Sequence, residues 1–252
     1  MFEQIRPINQ PQGKAPTPLF GVFLVLFLLA PLPVWADDMD SGVLEEVPVG
    51  YMDSYRHLIR SAPDLNPSVL TLGLRAFAAA EARGQARRKR LTIIDYSLPS
   101  THKRLWVIDL ERDRLIFHEL VAHGRNSGVN ESTQFSNIVG SRQSSLGTFL
   151  TAETYRGKHG YSLRLDGVEN GINHKARERA IVMHGADYVS TDFVARHGRL
   201  GRSWGCPAVS RAVAATLIDA IKDGSVIFAY YPDPVIQAKS AYLNDRYQAS
   251  GS

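Results

Sequence analysis

A mainly β domain with one helix packed against it late in the chain is the fold class predicted for these 252 residues. Three observations carry that expectation. From Leu91 onward the chain consists of short runs rich in β-branched and aromatic residues, which suit a pleated, half-buried surface. Glycine-bearing and polar stretches separate those runs and bend the chain between them. Finally, "SRAVAATLIDAIKDG" sets Val213, Leu217 and Ile221 at i, i+4 and i+8, one apolar face of a helix.

The elements follow in chain order. Arg6 and Lys14 precede an uncharged apolar run from Leu19 to Ala30, and "PLPVWADD" follows it; this is the layout of a secretory signal, with cleavage expected after Ala36 because Val34 and Ala36 give the small-residue spacing. A permanent anchor is not expected, since a membrane-spanning helix needs about 20 apolar residues and Pro31 and Pro33 end this run early. The acidic stretch from Asp37 to Gly50 has no clear period and reads as a lead-in. A helical segment then runs from Asp53 to Arg83; within it Asn66 and Pro67 form an N-cap and first-turn pair, and Gly84 supplies the stop. "RRKR" at 87–90 reads as a solvated connector whose cations suit the C-terminal end of that helix, contact with anionic groups being the alternative.

Strands are expected at "LTIIDY", "KRLWVIDL", "LIFHELVAHG", "GTFLTAETY", "YSLRLDG", "AIVMHG" and "SVIFAYY". The polar segment from Gly124 to Ser145 is a long loop, and long loops inside compact domains are often functional. The amphipathic helix has Ser210 as its N-cap candidate and Gly224 as its stop. The expected division is a signal peptide at 1–36, a lead-in and helical segment at 37–90, a β domain at 91–234 and a tail at 235–252. A formal net charge of +4 is a mild basic excess that implies no nucleic acid partner.

Chemistry is pointed to by the stretch "GRSWGCPAV", which holds Cys206, the single cysteine of the chain. In an exported protein a lone thiol has no disulfide partner, so it is either a buried filler or a reactive group. The glycines around it bend the backbone and present N–H groups, and the nearby cations are expected to lower the thiol pKa. A cysteine nucleophile works with a base that is itself held in orientation. His184 ends the apolar run "AIVMHG" directly before Gly185, and His123 has a similar setting in "ELVAHGRNSG", so spacing leaves both open. His57, His102, His118, His159, His174 and His197 need no special role. A zinc peptidase is disfavoured, since no His-x-x-x-His helix or compact ligand cluster occurs.

The order "IVMHG", "GRSWGC", helix and terminal strand resembles the L,D-transpeptidase catalytic domains of the YkuD-like superfamily. With "AHGRNSG", "FSNIVGSRQSSLGTF", "YSLRLDGVENGIN" and "AIVMHGADYVS", residues 91–234 are similar to its murein L,D-transpeptidase branch. The resemblance implies a β-sandwich with a helix after the cysteine, Cys206 as nucleophile and His184 as general acid/base oriented by the backbone at Gly185. It also implies oxyanion-binding N–H groups around Gly205 and Cys206, no cofactor or metal, and peptidoglycan stem peptides as substrate outside the cytoplasm. Three features depart from the family pattern: Trp204 replaces a frequent histidine, Ala208 a frequent arginine or asparagine, and the separation of 22 residues from His184 to Cys206 is longer than usual. Arg199 and Arg202 are candidates to replace the missing cation at the stem carboxylate, with Ser203 and Trp204 as further substrate contacts. An amine acceptor would give a cross-link and water would give trimming; a wall-binding module without activity is the third reading.

Overall fold

A computed structural model describes residues 46–244. The expected signal peptide, most of the acidic lead-in and the end of the tail lie outside the described residues. A 3-10 turn at Val49–Tyr51 leads into α1 (Met52–Ser61) and α2 (Pro67–Ala82). The Asn66 side chain accepts from the Ser68 and Val69 N–H groups, as its capping position predicts.

Eight strands make one continuous sheet. They are β1 (Arg90–Asp95), β2 (Leu105–Asp109), β3 (Arg114–Glu119), β4 (Gly147–Gly157), β5 (Gly160–Gly167), β6 (Val182–Ala186), β7 (Ala208–Ser210) and β8 (Val226–Tyr230). The spatial order is β3-β2-β1-β8-β4-β5-β6-β7. The β1–β8 and β6–β7 pairs are parallel and the others antiparallel. Four helices complete the described chain: α3 (Thr191–His197) and α4 (Arg211–Ile221) flank β7, and α5 (Pro234–Lys239) leads to the short α6 (Ala241–Asn244).

Period-2 alternation along the strands sorts side chains to two faces. Leu91, Ile93, Trp106, Ile108, Val226 and Phe228 join one core with α1 and α2. Gly73 lets α2 settle on the sheet, because a Cβ there would lie 2.7 Å from Ile93 Cδ1. The intervening Ile94, Val107, Ile227 and Ala229 face a second core, which gathers Leu163 and Met183 around Leu217, Ile218 and Ile221 of α4. The mainly β class, the helix after Cys206 and the helical N-terminal segment are all present, and the strands expected as a sandwich are hydrogen-bonded as a single ladder.

Four details depart from the sequence expectations. Ser210 stands at the N-cap of α4 but makes no side-chain cap bond, while Asp223 and Gly224, both at positive φ, end the turn after it. The connector cations divide: Lys89 pairs with Glu81 in the last turn of α2 at 3.4 Å, as expected, whereas Arg88 donates to the Lys222 carbonyl after α4 and Arg90 pairs with the buried Asp109 at 2.5 Å. β7 and α3 have too little apolar periodicity to be read from sequence. The start of the tail is structural, since Tyr242 and Leu243 belong to the α2-side core and Ser240 Oγ donates to the buried Glu169. Among the described residues no helix is long and apolar enough to cross a membrane.

Candidate active site

Two parallel strands fix the spacing of the two central groups. β6 carries His184, which registers with Ala208 of β7, and Cys206 lies two residues before that partner. β6 also pairs with β5, through Ser162 opposite His184. Gly185 lets α4 approach β6 closely, because a Cβ there would sit 2.9 Å from Ala214 Cβ.

His184 is buried, and its Nδ1 lies 3.1 Å from the Gly185 carbonyl oxygen. A carbonyl only accepts, so Nδ1 carries the proton and the Nε2 lone pair is left available. Burial first, then the neighbouring His159 and Arg211, holds the imidazole below its ordinary pKa against the Gly185 bond. His184 is therefore neutral at pH 7, as a proton acceptor must be.

Cys206 sits in a turn built by Ser203 and Gly205. The Ser203 hydroxyl donates to the Cys206 carbonyl at 2.6 Å and accepts the Gly205 N–H at 3.1 Å, so both of its functions are used within the turn. Gly205 has φ 120°, and a Cβ there would approach the Gln143 carbonyl oxygen to 2.7 Å. That carbonyl is held by Arg179 Nη2 at 2.6 Å. The thiol contradicts one expectation: burial pushes it above its ordinary pKa, and this outweighs the Val182 backbone bond and the cations Arg179 and Lys158 that pull the other way. Cys206 and His184 therefore rest as a neutral pair.

Both residues line a cleft of about 260 Å³ together with Ser203 and Arg202. Its other walls are Lys158, His159, Tyr188 and Trp204. Trp204 is 63% exposed rather than packed as core, with the Arg142 guanidinium 4.4 Å from its ring centroid. His159 stacks on His184 with centroids 4.4 Å apart. Burial above all, and a thiolate on Cys206 when one forms, push the Tyr188 hydroxyl up to about 12, so it stays protonated. Arg199 lines an adjoining cavity instead and donates to the Leu200 carbonyl.

His123 does not enter this cleft. It is fully buried, Arg104 donates to its Nδ1 at 2.8 Å, and its Nε2 faces the Gly128 carbonyl oxygen at 3.4 Å. Burial, then Arg104, holds its pKa down to about 4. Its backbone carbonyl accepts from Ser203 N–H at 3.0 Å, so it braces the turn from behind. The loop from Gly124 to Ser145 is a pinned wall: Arg179 donates to the Ser136 and Gln143 carbonyls, and Ser127 Oγ accepts from Ser144 N–H.

Sequence reasoning missed His159, Tyr188, Lys158 and Arg179. The signal for two of them was present, since Lys158 and His159 fill the turn between "GTFLTAETYRG" and "YSLRLDG". Pairing of that second strand with "AIVMHG" carries the turn to His184. Among the described residues no group of three His, Cys, Asp or Glu side chains converges as a metal site.

Comparison with known proteins gives one family match and several structural likenesses. A family model described as the L,D-transpeptidase catalytic domain matches residues 61–230. An L,D-transpeptidase from Mycobacterium smegmatis is similar at 13% identity and TM-score 0.37, over 57% of this chain and 59% of that one. One from Mycobacterium tuberculosis H37Rv gives 13% identity and TM-score 0.36, over 57% and 58%. One from Stackebrandtia nassauensis gives 14% identity and TM-score 0.34, over 73% and 78%. The chain thus spans less than two thirds of the length of the first two. No curated protein sequence matches it.

Proposed function

The chain belongs to the L,D-transpeptidase catalytic-domain family, and from that premise we propose that it transfers an acyl group between peptidoglycan stem peptides through a thioester on Cys206. The observation that supports this reading is the Nδ1–H bond from His184 to the Gly185 carbonyl, which leaves the Nε2 lone pair of a neutral imidazole free on a residue that lines the same cleft as the thiol.

The chemistry follows from the resting charges. As Cys206 Sγ attacks the carbonyl carbon of an L-centre amide, its proton passes to His184 Nε2 and the carbonyl oxygen becomes an oxyanion. Gly205 N–H is committed to Ser203, so the Cys206 N–H is the backbone donor assigned to that oxygen, with the protonated Tyr188 hydroxyl in the same cleft as a second donor. Collapse breaks the C–N bond, and His184 returns the proton to the departing amine. An incoming amine then attacks the thioester, gives its proton to His184 and releases the thiolate, which is reprotonated.

A neutral resting pair defers charge separation to the moment of attack, when Arg179 and Lys158 lower the energy of the developing thiolate. The work is assigned to the space outside the cytoplasmic membrane, a reading supported by the leader from Leu19 to Ala30. Intact-mass spectrometry with tetrapeptide-bearing muropeptides tests the proposal. The expected result is an acyl adduct and D-alanine release on the wild type and neither on Cys206→Ala, with dimers rather than tripeptides as the later product. Full turnover by Cys206→Ala would remove the thiol from the chemistry, and tripeptides alone would make water the acceptor.

A further inference from the structure

Behind the thiol turn, directly before β2, the Arg104 guanidinium is fully buried. No carboxylate forms an ion pair with it among the described residues, and a buried cation without a counter-charge is costly. Burial pulls its pKa down to about 10 against the opposing pull of Tyr96, Asp95 and Glu131, so it stays charged at pH 7. What holds the charge in place is a complete set of acceptors. Nε and Nη2 donate to the Val121 carbonyl at 3.2 and 3.1 Å, and Nη2 also donates to His123 Nδ1 at 2.8 Å. Nη1 donates to the Leu98 carbonyl at 2.6 Å and to Ser132 Oγ at 3.4 Å. All five N–H groups of the fork are thereby spent.

Residues 121–125, which the fork grips, carry both ends of the thiol turn. Ser203 N–H donates to the His123 carbonyl at 3.0 Å, and Arg125 N–H donates to the Ser203 carbonyl at 2.8 Å. At the other end Ala122 N–H donates to the Ala208 carbonyl at 2.8 Å, and its carbonyl accepts from Ala208 N–H at 3.4 Å. Cys206 stands between these two anchors, and the second anchor is the residue that registers with His184. The cations that pull on the thiol itself are Arg179 and Lys158. Arg104 reaches it through backbone instead.

We infer that Arg104 is a positioning residue for the nucleophile: its planar fork fixes the backbone of Val121 and His123, and that segment is the seat that sets where Cys206 stands relative to His184. The inference rests on the acyl-transfer reading and deepens it by naming a residue outside the cleft on which the reacting geometry depends. A neutral thiol and a neutral imidazole exchange a proton only at hydrogen-bond reach, so a shift of the seat is felt in the rate.

Arg104→Lys separates position from charge, because lysine keeps the cation but has no fork to span Val121, His123 and Leu98. Single-turnover acylation by a tetrapeptide muropeptide is expected to slow about 100-fold per folded molecule, the effect of a displacement of about 1 Å. The half-saturating muropeptide concentration stays at the wild-type value, and so does the thiol pKa read from iodoacetamide alkylation against pH. Leu74→Ala, a core truncation on the α2 side, controls for lost stability and is expected to acylate at the wild-type rate. His123→Leu keeps the carbonyl of residue 123 and removes one acceptor of the fork. It gives a second reading where Arg104→Lys does not fold, with acylation about tenfold slower. Amide hydrogen exchange reads the seat without turnover: residues 121–125 and 203–208 exchange faster in the Arg104 and His123 variants and not in Leu74→Ala. Wild-type acylation in those two variants, unchanged exchange, a shifted thiol pKa, or equal slowing in Leu74→Ala would overturn the inference. A wild type that forms no acyl-enzyme, with the exchange difference intact, would sink the acyl-transfer reading and leave the seat standing.

Discussion

The buried His123 makes this protein sensitive to mild acid in a way that can be calculated. In the unfolded chain its imidazole takes a proton near pH 6.5. In the fold it resists protonation down to about 4, because it is fully buried and accepts from the Arg104 guanidinium. Below the unfolded value the unfolded state binds the extra proton, so stability is complete above about pH 6.5 and falls as the pH drops towards 4. At 1.36 kcal/mol per unit, the loss from this one group is about 3 kcal/mol, a large share of the total stability of a domain. Urea unfolding at several pH values between 7 and 4 measures it, with His123→Asn as the comparison because an asparagine oxygen can still accept from Arg104 without titrating. The variant is expected to start less stable at pH 7 through lost packing, but to lose about 3 kcal/mol less on acidification. Equal losses in the two proteins would show that His123 is protonated in the fold, and would reopen its candidacy as an acid/base group.

Two further outcomes are expected at the site. Gly205→Ala forces a side chain into left-handed backbone and against the Gln143 carbonyl; strain and overpacking together cost about 2–5 kcal/mol, and displacement of Cys206 slows acylation by about 100-fold. Wild-type urea stability in that variant would refute the proposed geometry. His159→Gln removes the ring that covers His184 and the positive neighbour that depresses it. The His184 pKa then rises, and the acid limb of the acylation rate moves to higher pH; a limb that stays in place or moves to lower pH would count against the stacking argument.

Much of this arrangement was legible in sequence because it is written in local patterns. Seven strands announced themselves by β-branched runs, α2 by the Asn66–Pro67 pair and α4 by its i, i+4 stripe. β7 was not legible, because a three-residue strand after a proline has no period to detect. The choice between His184 and His123 was likewise closed to spacing, since both precede a glycine after an apolar run. The two are separated by Arg104, a residue distant in sequence whose buried guanidinium ties up one of the two rings. The direction of the thiol shift was misread for a related reason. Nearby cations show in a sequence, whereas the desolvation that opposes them depends on which residues the fold packs around Cys206.

The parallel pairing of β6 with β7 has a consequence for how such a protein can change. Parallel neighbours are joined by a crossover that leaves the sheet and returns, and here it comprises residues 187–207, ending at the thiol turn. The ladder holds the histidine opposite its partner whatever the length of that excursion. The excursion supplies Tyr188, Phe193, Arg199 and Arg202. Strand register and cavity lining are thus written on separable pieces of chain: the segment from 187 to about 202 can be exchanged or lengthened to reshape the walls beside the thiol turn, while His184 stays in register with Ala208.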